Sequence, residues 1–151
     1  MSFSVINPDE QSWETRPHED GEPARHVTEL SERAGMEHVR ANVWRYEPGA
    51  AGRRHLHASQ DETFVVLSGT LSMYVGDPPE RHDVPAGSLV HITAGTPLQS
   101  VNHGDEDLVV YAHGWPPEAH NAELLPSAVQ LKPEGGFEPP ALRLQGGRSG
   151  H

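Results

Sequence analysis

The feature that most constrains this chain is the run from Gly49 to Gly69, which holds His55, His57 and Glu62 between two glycines. In an extended strand alternate side chains share a face, so the spacing predicts His55 and His57 on one side and Leu56 on the other. Glu62, five positions beyond His57, has the wrong parity for the same unbroken strand. The turn-forming residues Ser59-Gln60-Asp61 resolve this by predicting a break and a second, antiparallel strand that begins at Glu62. Two imidazole nitrogens and one carboxylate oxygen form a donor set for a divalent first-row metal, with coordination positions left open for a substrate. On the second strand Glu62, Phe64 and Val66 share one face and Thr63, Val65 and Leu67 the other. Apolar residues on both faces predict a strand buried on both sides.

The surrounding texture is that of short strands. Apolar or alternating segments at 39–47, 54–58, 62–68, 70–75, 81–84, 88–93, 98–102 and 108–113 are separated by turn residues such as Pro48-Gly49, Gly76-Asp77-Pro78-Pro79 and Ala94-Gly95-Thr96-Pro97. Eight such segments with no amphipathic helix between them predict an all-β sandwich or barrel. Residues 1–35 read as an N-terminal arm across the body or a second subunit, with Trp13 as its anchor and a short docked strand or turn at Val27 and Leu30. Residues 36–114 form the barrel. Residues 115–131 read as a short helix or a packed strap carrying Leu124, Leu125, Val129 and Leu131, and 132–151 as a flexible tail.

Composition narrows the function classes. A formal net charge of -11 excludes nucleic acid and anionic membrane as expected partners, since both need basic surface. The chain has no cysteine, so any metal must be held by nitrogen and oxygen. The N-terminal residues lack a basic and then apolar leader, and no apolar run approaches the ~20 residues of a membrane span. The expectation is a cytoplasmic protein.

The glycine–histidine–glutamate run resembles the first motif of the cupin superfamily: Gly, five residues, His-x-His, three or four residues, Glu, six residues, Gly. Gly49, His55, His57, Glu62 and Gly69 match it at every spacing. The family's second motif reads Gly, five residues, Pro-x-Gly, two residues, His, three residues, Asn. Gly87, Gly95 and Asn102 keep those places, but Thr93 replaces the proline and Leu98 the histidine. The resemblance implies a single cupin jelly-roll barrel (a double-stranded β-helix) with an N-terminal arm and a C-terminal extension, in a small protein that forms a homodimer.

The resemblance also implies a divalent metal (iron, manganese, nickel or zinc) on His55, His57 and Glu62. The usual fourth ligand is missing at Leu98. Either the three-ligand site has extra open positions, or the site is degenerate, or a side chain from elsewhere fills it. His91 and His113 on neighbouring strands are the substitutes to consider, whereas Gln99 should face away by parity. The remaining histidines, His120 and His151 among them, read as solvated. Strand parity lines a substrate pocket with Phe64, Leu98, Ser100 and Asn102. On the preceding strand Arg40, Asn42, Trp44 and Tyr46 share a face that either contacts a ligand or lies exposed. Arg53 and Arg54 either attract an anion or sit in a solvated loop. The expected function is a metal-dependent enzyme, an oxygenase, isomerase or decarboxylase, acting on a small organic acid, carbonyl or sugar-like metabolite. The alternative is a non-catalytic binding or sensor module.

Overall fold

In the computed structural model the described residues are 1–118, 122–131 and 137–138. The tail expected at 132–151 lies outside them except for Phe137–Glu138, and so do His120 and His151. Two antiparallel sheets face each other. The first contains β1 (Glu14–Thr15), β2 (Arg25–Glu29), β3 (Arg40–Tyr46), β5 (Asp61–Ser68), β8 (Leu89–Ile92) and β10 (Leu108–Trp115), in the order β1-β2-β3-β10-β5-β8. The second contains β4 (His55–Leu56), β6 (Thr70–Val75), β7 (Glu80–Pro85), β9 (Leu98–Val101) and β11 (Glu123–Leu124), in the order β11-β4-β9-β6-β7. A separate ribbon pairs β12 (Gln130–Leu131) with β13 (Phe137–Glu138). The architecture is that of a jelly roll, with the sheets not joined by hydrogen bonds into a closed cylinder. Among the described residues no helix is long and apolar enough to cross a membrane.

Period-2 alternation sends one face of each strand inward. Tyr46 from β3, Phe64 and Val66 from β5, Leu71 and Met73 from β6, Leu98 from β9, and Leu108, Val110 and Ala112 from β10 form the core between the sheets. The outer faces have separate covers. The arm lays Leu30, Ile6 and Trp13 over Ala41, Val43, Val109 and Tyr111. The strap lays Ala128 and Val129 over Tyr74 and Val101. The strap forms no helix among its described residues; instead β11 pairs with β4, with Leu124 opposite His55.

Of the docked strand or turn expected at Val27 and Leu30, the arm supplies a strand: β2 joins the first sheet, in register with β3 from Arg25–Tyr46 to Glu29–Asn42. The strand 62–68, in contrast, is not buried on both sides. Its outer face is open at Leu67, 52% exposed, beside Leu89 on β8, 59% exposed. The cause is the reach of the arm, which covers β3 and β10 and stops short of β5 and β8.

The glycines that bound the first motif have a backbone reason. Gly49 and Gly69 both adopt positive φ, at 88° and 80°, a region costly for residues with a side chain. Gly69 makes the tight β5–β6 turn, and a Cβ there would lie 2.8 Å from the Asp107 carbonyl oxygen and 3.1 Å from Leu108 Cα. Gly69→Ala is therefore expected to lower stability by about 1–3 kcal/mol through strain and backbone collision. Chemical denaturation checks this; an unchanged midpoint would contradict it.

Candidate metal centre

The ligand cluster is assembled by three local devices. β4 puts His55 on the inner face, and His57 follows just beyond it with its ring 5.0 Å from that of His55 at 89°. The turn carrying Ala94 and Gly95 clamps this loop. Gly95 N–H donates to the His57 carbonyl at 2.7 Å, and Ala94 N–H donates to the Asp61 carboxylate at 2.8 Å. Asp61 starts β5 and Glu62 follows it, which delivers the carboxylate to the same point. One ligating atom from each of His55, His57 and Glu62 lies within 4.8 Å of the others. Glu62 Oε1 is 2.8 Å from His57 Nε2 and 3.4 Å from His55 Nε2.

Both imidazoles are fixed by what their outer nitrogens touch. His55 Nδ1 lies 2.8 Å from the Arg53 carbonyl oxygen, which can only accept, so Nδ1 carries the proton. His57 Nδ1 lies 2.9 Å from a Glu118 carboxylate oxygen and donates to it. Glu118 is itself held by the Ser59 N–H and the Ser59 hydroxyl. When the rings are neutral, each Nε2 lone pair therefore faces the centre. Glu62 Oε1 is buried there without a well-directed hydrogen bond. Two lone pairs and a carboxylate oxygen at these distances repel unless a positive charge stands between them. A divalent ion fits that requirement and this N,N,O donor set.

The charges answer to one another. Burial works against ionisation of Glu62, but the two imidazoles outweigh it and hold its carboxyl down at about 2. Burial likewise opposes ionisation of Glu118, yet the Ser59 and His57 donors keep it at about 2. The His57 ring is pushed above the usual imidazole range, first by its contact with Glu62, against its burial, and further by Glu118. The two carboxylates that favour a proton on the His57 ring favour positive charge at this centre.

Above the cluster opens a cavity of about 500 Å³. Trp44, Tyr46, Phe64, Leu98 and Ser100 line it together with His55, His57 and Glu62. Of the two readings for the Arg40–Tyr46 face, the structure has all four of its side chains lining this cavity. Burial raises the Tyr46 phenol above its ordinary range, with Arg25 partly offsetting, so its hydroxyl stays protonated. Asn102 does not line the cavity. Its amide donates to the Tyr46 and Glu106 carbonyls, which commits it to holding the 102–107 loop. Arg54 is buried and spent on the Gly76 and Pro126 carbonyls, while Arg53 lines the cavity.

Neither proposed substitute for the fourth ligand joins the cluster. His91 lies on the outer face, 2.7 Å from the Thr63 hydroxyl. His113 touches the Tyr111 hydroxyl at 3.2 Å. Gln99 faces away, bonded to Gly52, Ser127 and Ala128 beneath the strap. Glu118 is the functional residue that sequence reasoning missed, since it stands at no motif spacing and is brought back by the turn after β10. Truncating it removes the group that fixes the His57 ring. Glu118→Ala is expected to weaken divalent-metal affinity by about 10–100-fold. Glu118→Gln, whose side-chain carbonyl can still accept the Nδ1 proton, should lose less. Calorimetric titration measures both, and wild-type affinity in the alanine variant would contradict this role.

The sequence has no significant match among curated proteins, whereas the Cupin_2 family, a cupin domain, matches residues 42–114. Among solved structures, a sugar phosphate isomerase of the cupin superfamily from Silicibacter pomeroyi is similar at 23% identity and a TM-score of 0.69, over 90% of this chain and 92% of that one. The polyketide cyclase RemF from Streptomyces resistomycificus is similar at 15% identity and a TM-score of 0.67, over 87% and 89%. KdgF from a Halomonas species is similar at 20% identity and a TM-score of 0.61, over 76% and 96%. At these identities the likeness is one of fold. The family match runs from within β3 to β10, the strands that bring His55, His57 and Glu62 together, and residues 42–114 are a cupin domain.

Proposed function

We propose that this protein is a metal-dependent enzyme acting on a small oxygenated metabolite, an organic acid, carbonyl compound or sugar-like molecule. The carrying observation is the convergence of two oriented Nε2 lone pairs and a poorly satisfied buried carboxylate oxygen at the base of one cavity. A divalent ion bound there (iron, manganese, nickel or zinc) supplies Lewis-acid polarisation of a substrate oxygen or, for iron, dioxygen chemistry. The chain's own residues do the rest. Phe64, Leu98 and Val110 keep an apolar wall beside the ligands and exclude water. Tyr46 offers a neutral phenol as hydrogen-bond donor. Glu118 holds the His57 proton on Nδ1, away from the reacting side. Enzymes among the similar folds, an isomerase and a cyclase by name, support reading the cavity as catalytic.

The second reading is a non-catalytic binding or sensor module with a degenerate site. Leu98 favours it, since the residue opposite His55 on β9 cannot ligate. The same proposal takes the working form to be a cytoplasmic homodimer, which sedimentation of the purified protein tests.

The metal half of the proposal is tested by pH. Protons and the ion compete for the same Nε2 lone pairs. Because Glu62 and Glu118 hold His57 above its ordinary value of 6.5, that competition sets in at a higher pH than for a free imidazole. Metal affinity should fall steadily as pH is lowered through this range, each bound ion displacing a proton into the buffer. Affinity independent of pH, with no proton release, would place the ion on other ligands.

A further inference from the structure

We propose that the cavity over the metal cluster carries an oxyanion subsite built of arginines, so that the substrate presents a carboxylate or phosphate in addition to the oxygens directed at the metal. This rests on the metal-enzyme reading and narrows its substrate class.

The chain has a net charge of -11 with only eleven Lys and Arg residues. Four of these, Arg16, Arg25, Arg40 and Arg53, line the one cavity that also holds the ligand cluster. Glu62 is the single carboxylate lining it among the described residues, and its charge is engaged with the two imidazoles. An acidic protein has thus gathered cations where a substrate would sit.

Three of these four side chains lack the carboxylate partner that most other described arginines have. Away from this cavity, described arginines are committed to partners. Arg45 is paired with Asp9, Arg81 with Asp83, Arg54 with backbone carbonyls and Asp77, and Arg33 with the Thr28 and Ser12 hydroxyls. Within the cavity Arg16 is paired with Glu14. Arg25, Arg40 and Arg53 have no ion pair with a carboxylate among the described residues; Arg25 shares a hydrogen bond with the Tyr46 side chain, and Arg40 and Arg53 are exposed. A guanidinium keeps its charge, and its planar fork matches a carboxylate or phosphate.

Arg25 is also held in place. Its guanidinium lies over the Trp44 ring at 5.5 Å and the Tyr46 ring at 6.0 Å. These contacts hold the guanidinium in place before any ligand arrives, which lowers the entropy lost when an anion binds. Arg16, Arg25 and Arg40 all lie outside the 42–114 family match. β2 delivers Arg25 by pairing with β3, so the arm adds charge to the cavity beyond that of Arg53, which lies within the match.

Calorimetric titration of the metal-free full-length protein with inorganic phosphate, and separately with malonate, tests this. Saturable binding of at least one is expected, the tighter of the two identifying phosphate or carboxylate as the group recognised. Arg25→Gln and Arg40→Gln should each weaken that binding about tenfold or more, the loss expected for a charge-assisted hydrogen bond. Arg40 is exposed, so its variant carries little risk to folding. Arg81→Gln, on the β7 edge strand, should bind as wild type does. His55→Ala should lose metal and keep the anion, and Arg25→Gln should do the reverse, so the two readings fail separately. Saturation by neither anion, or wild-type affinity in both Arg25→Gln and Arg40→Gln, would overturn the proposal.

Discussion

His55→Ala is expected to abolish tight divalent-metal binding while leaving a cooperatively folded protein. The loss should exceed the roughly 10–100-fold that removal of an outer partner costs, because one of three donors disappears from the ion itself. Stability should hardly change, for a reason that lies in the packing. The core between the sheets is made of aliphatic and aromatic side chains from β3, β5, β6, β9 and β10, and His55 is not among them. β4 is a two-residue strand at the cavity wall, and the sheets are held by the long β3–β10–β5 and β6–β7 pairings. The protein thus differs from small zinc domains, in which metal binding and folding are one event. Metal titration and thermal melting on the same variant check both halves. Retained affinity would show that other ligands hold the ion, and non-cooperative melting would show a structural rather than functional metal.

Leu98→His should have the opposite effect on affinity. Leu98 is 2% exposed, lines the cavity and stands directly opposite His55 across the β4–β9 pair. An imidazole at this position adds a fourth donor beside the other three, so affinity should rise by about tenfold or more, the effect of about 1.4 kcal/mol from one further metal–nitrogen bond. It also occupies a position otherwise open to substrate, so turnover on any substrate found should fall. If Leu98 only fills the core, the substitution buries a polar group at a cost of about 1–3 kcal/mol and leaves affinity unchanged. Titration and melting curves separate these outcomes. A lowered melting point with wild-type affinity would leave the site a degenerate one.

What was legible in the sequence was what local physics fixes. Strand parity put His55 and His57 together, the turn before Glu62 corrected its phase, and positive φ at Gly49 and Gly69 accounts for the glycines at the motif's ends. The alternation in Arg40–Tyr46 divided that strand into a cavity face and a face under the arm, although which was which needed the fold. What escaped was long-range. Glu118 reaches His57 across 61 residues of sequence, through a turn whose end point no spacing encodes. At Val27 the sequence offered a docked strand or a turn, and the choice between them was long-range: β2 is a strand because β3 offers it an edge. The open outer face of β5 depends on where the arm ends, which Val65 and Leu67 themselves do not register. Asn102 obeyed the parity rule in direction only in so far as the strand continued. β9 ends at Val101, and beyond it the Asn102 side chain turned to cap a loop.

Whether His55, His57 and Glu62 hold a metal ion is measured most directly by elemental analysis of protein purified without an affinity tag, followed by titration of the chelated, metal-free protein with each of iron, manganese, nickel and zinc. The expected result is near-stoichiometric metal in the purified protein, one binding site on titration, and loss of both in His55→Ala. Absence of retained metal together with absence of saturable binding by any of the four ions would contradict it.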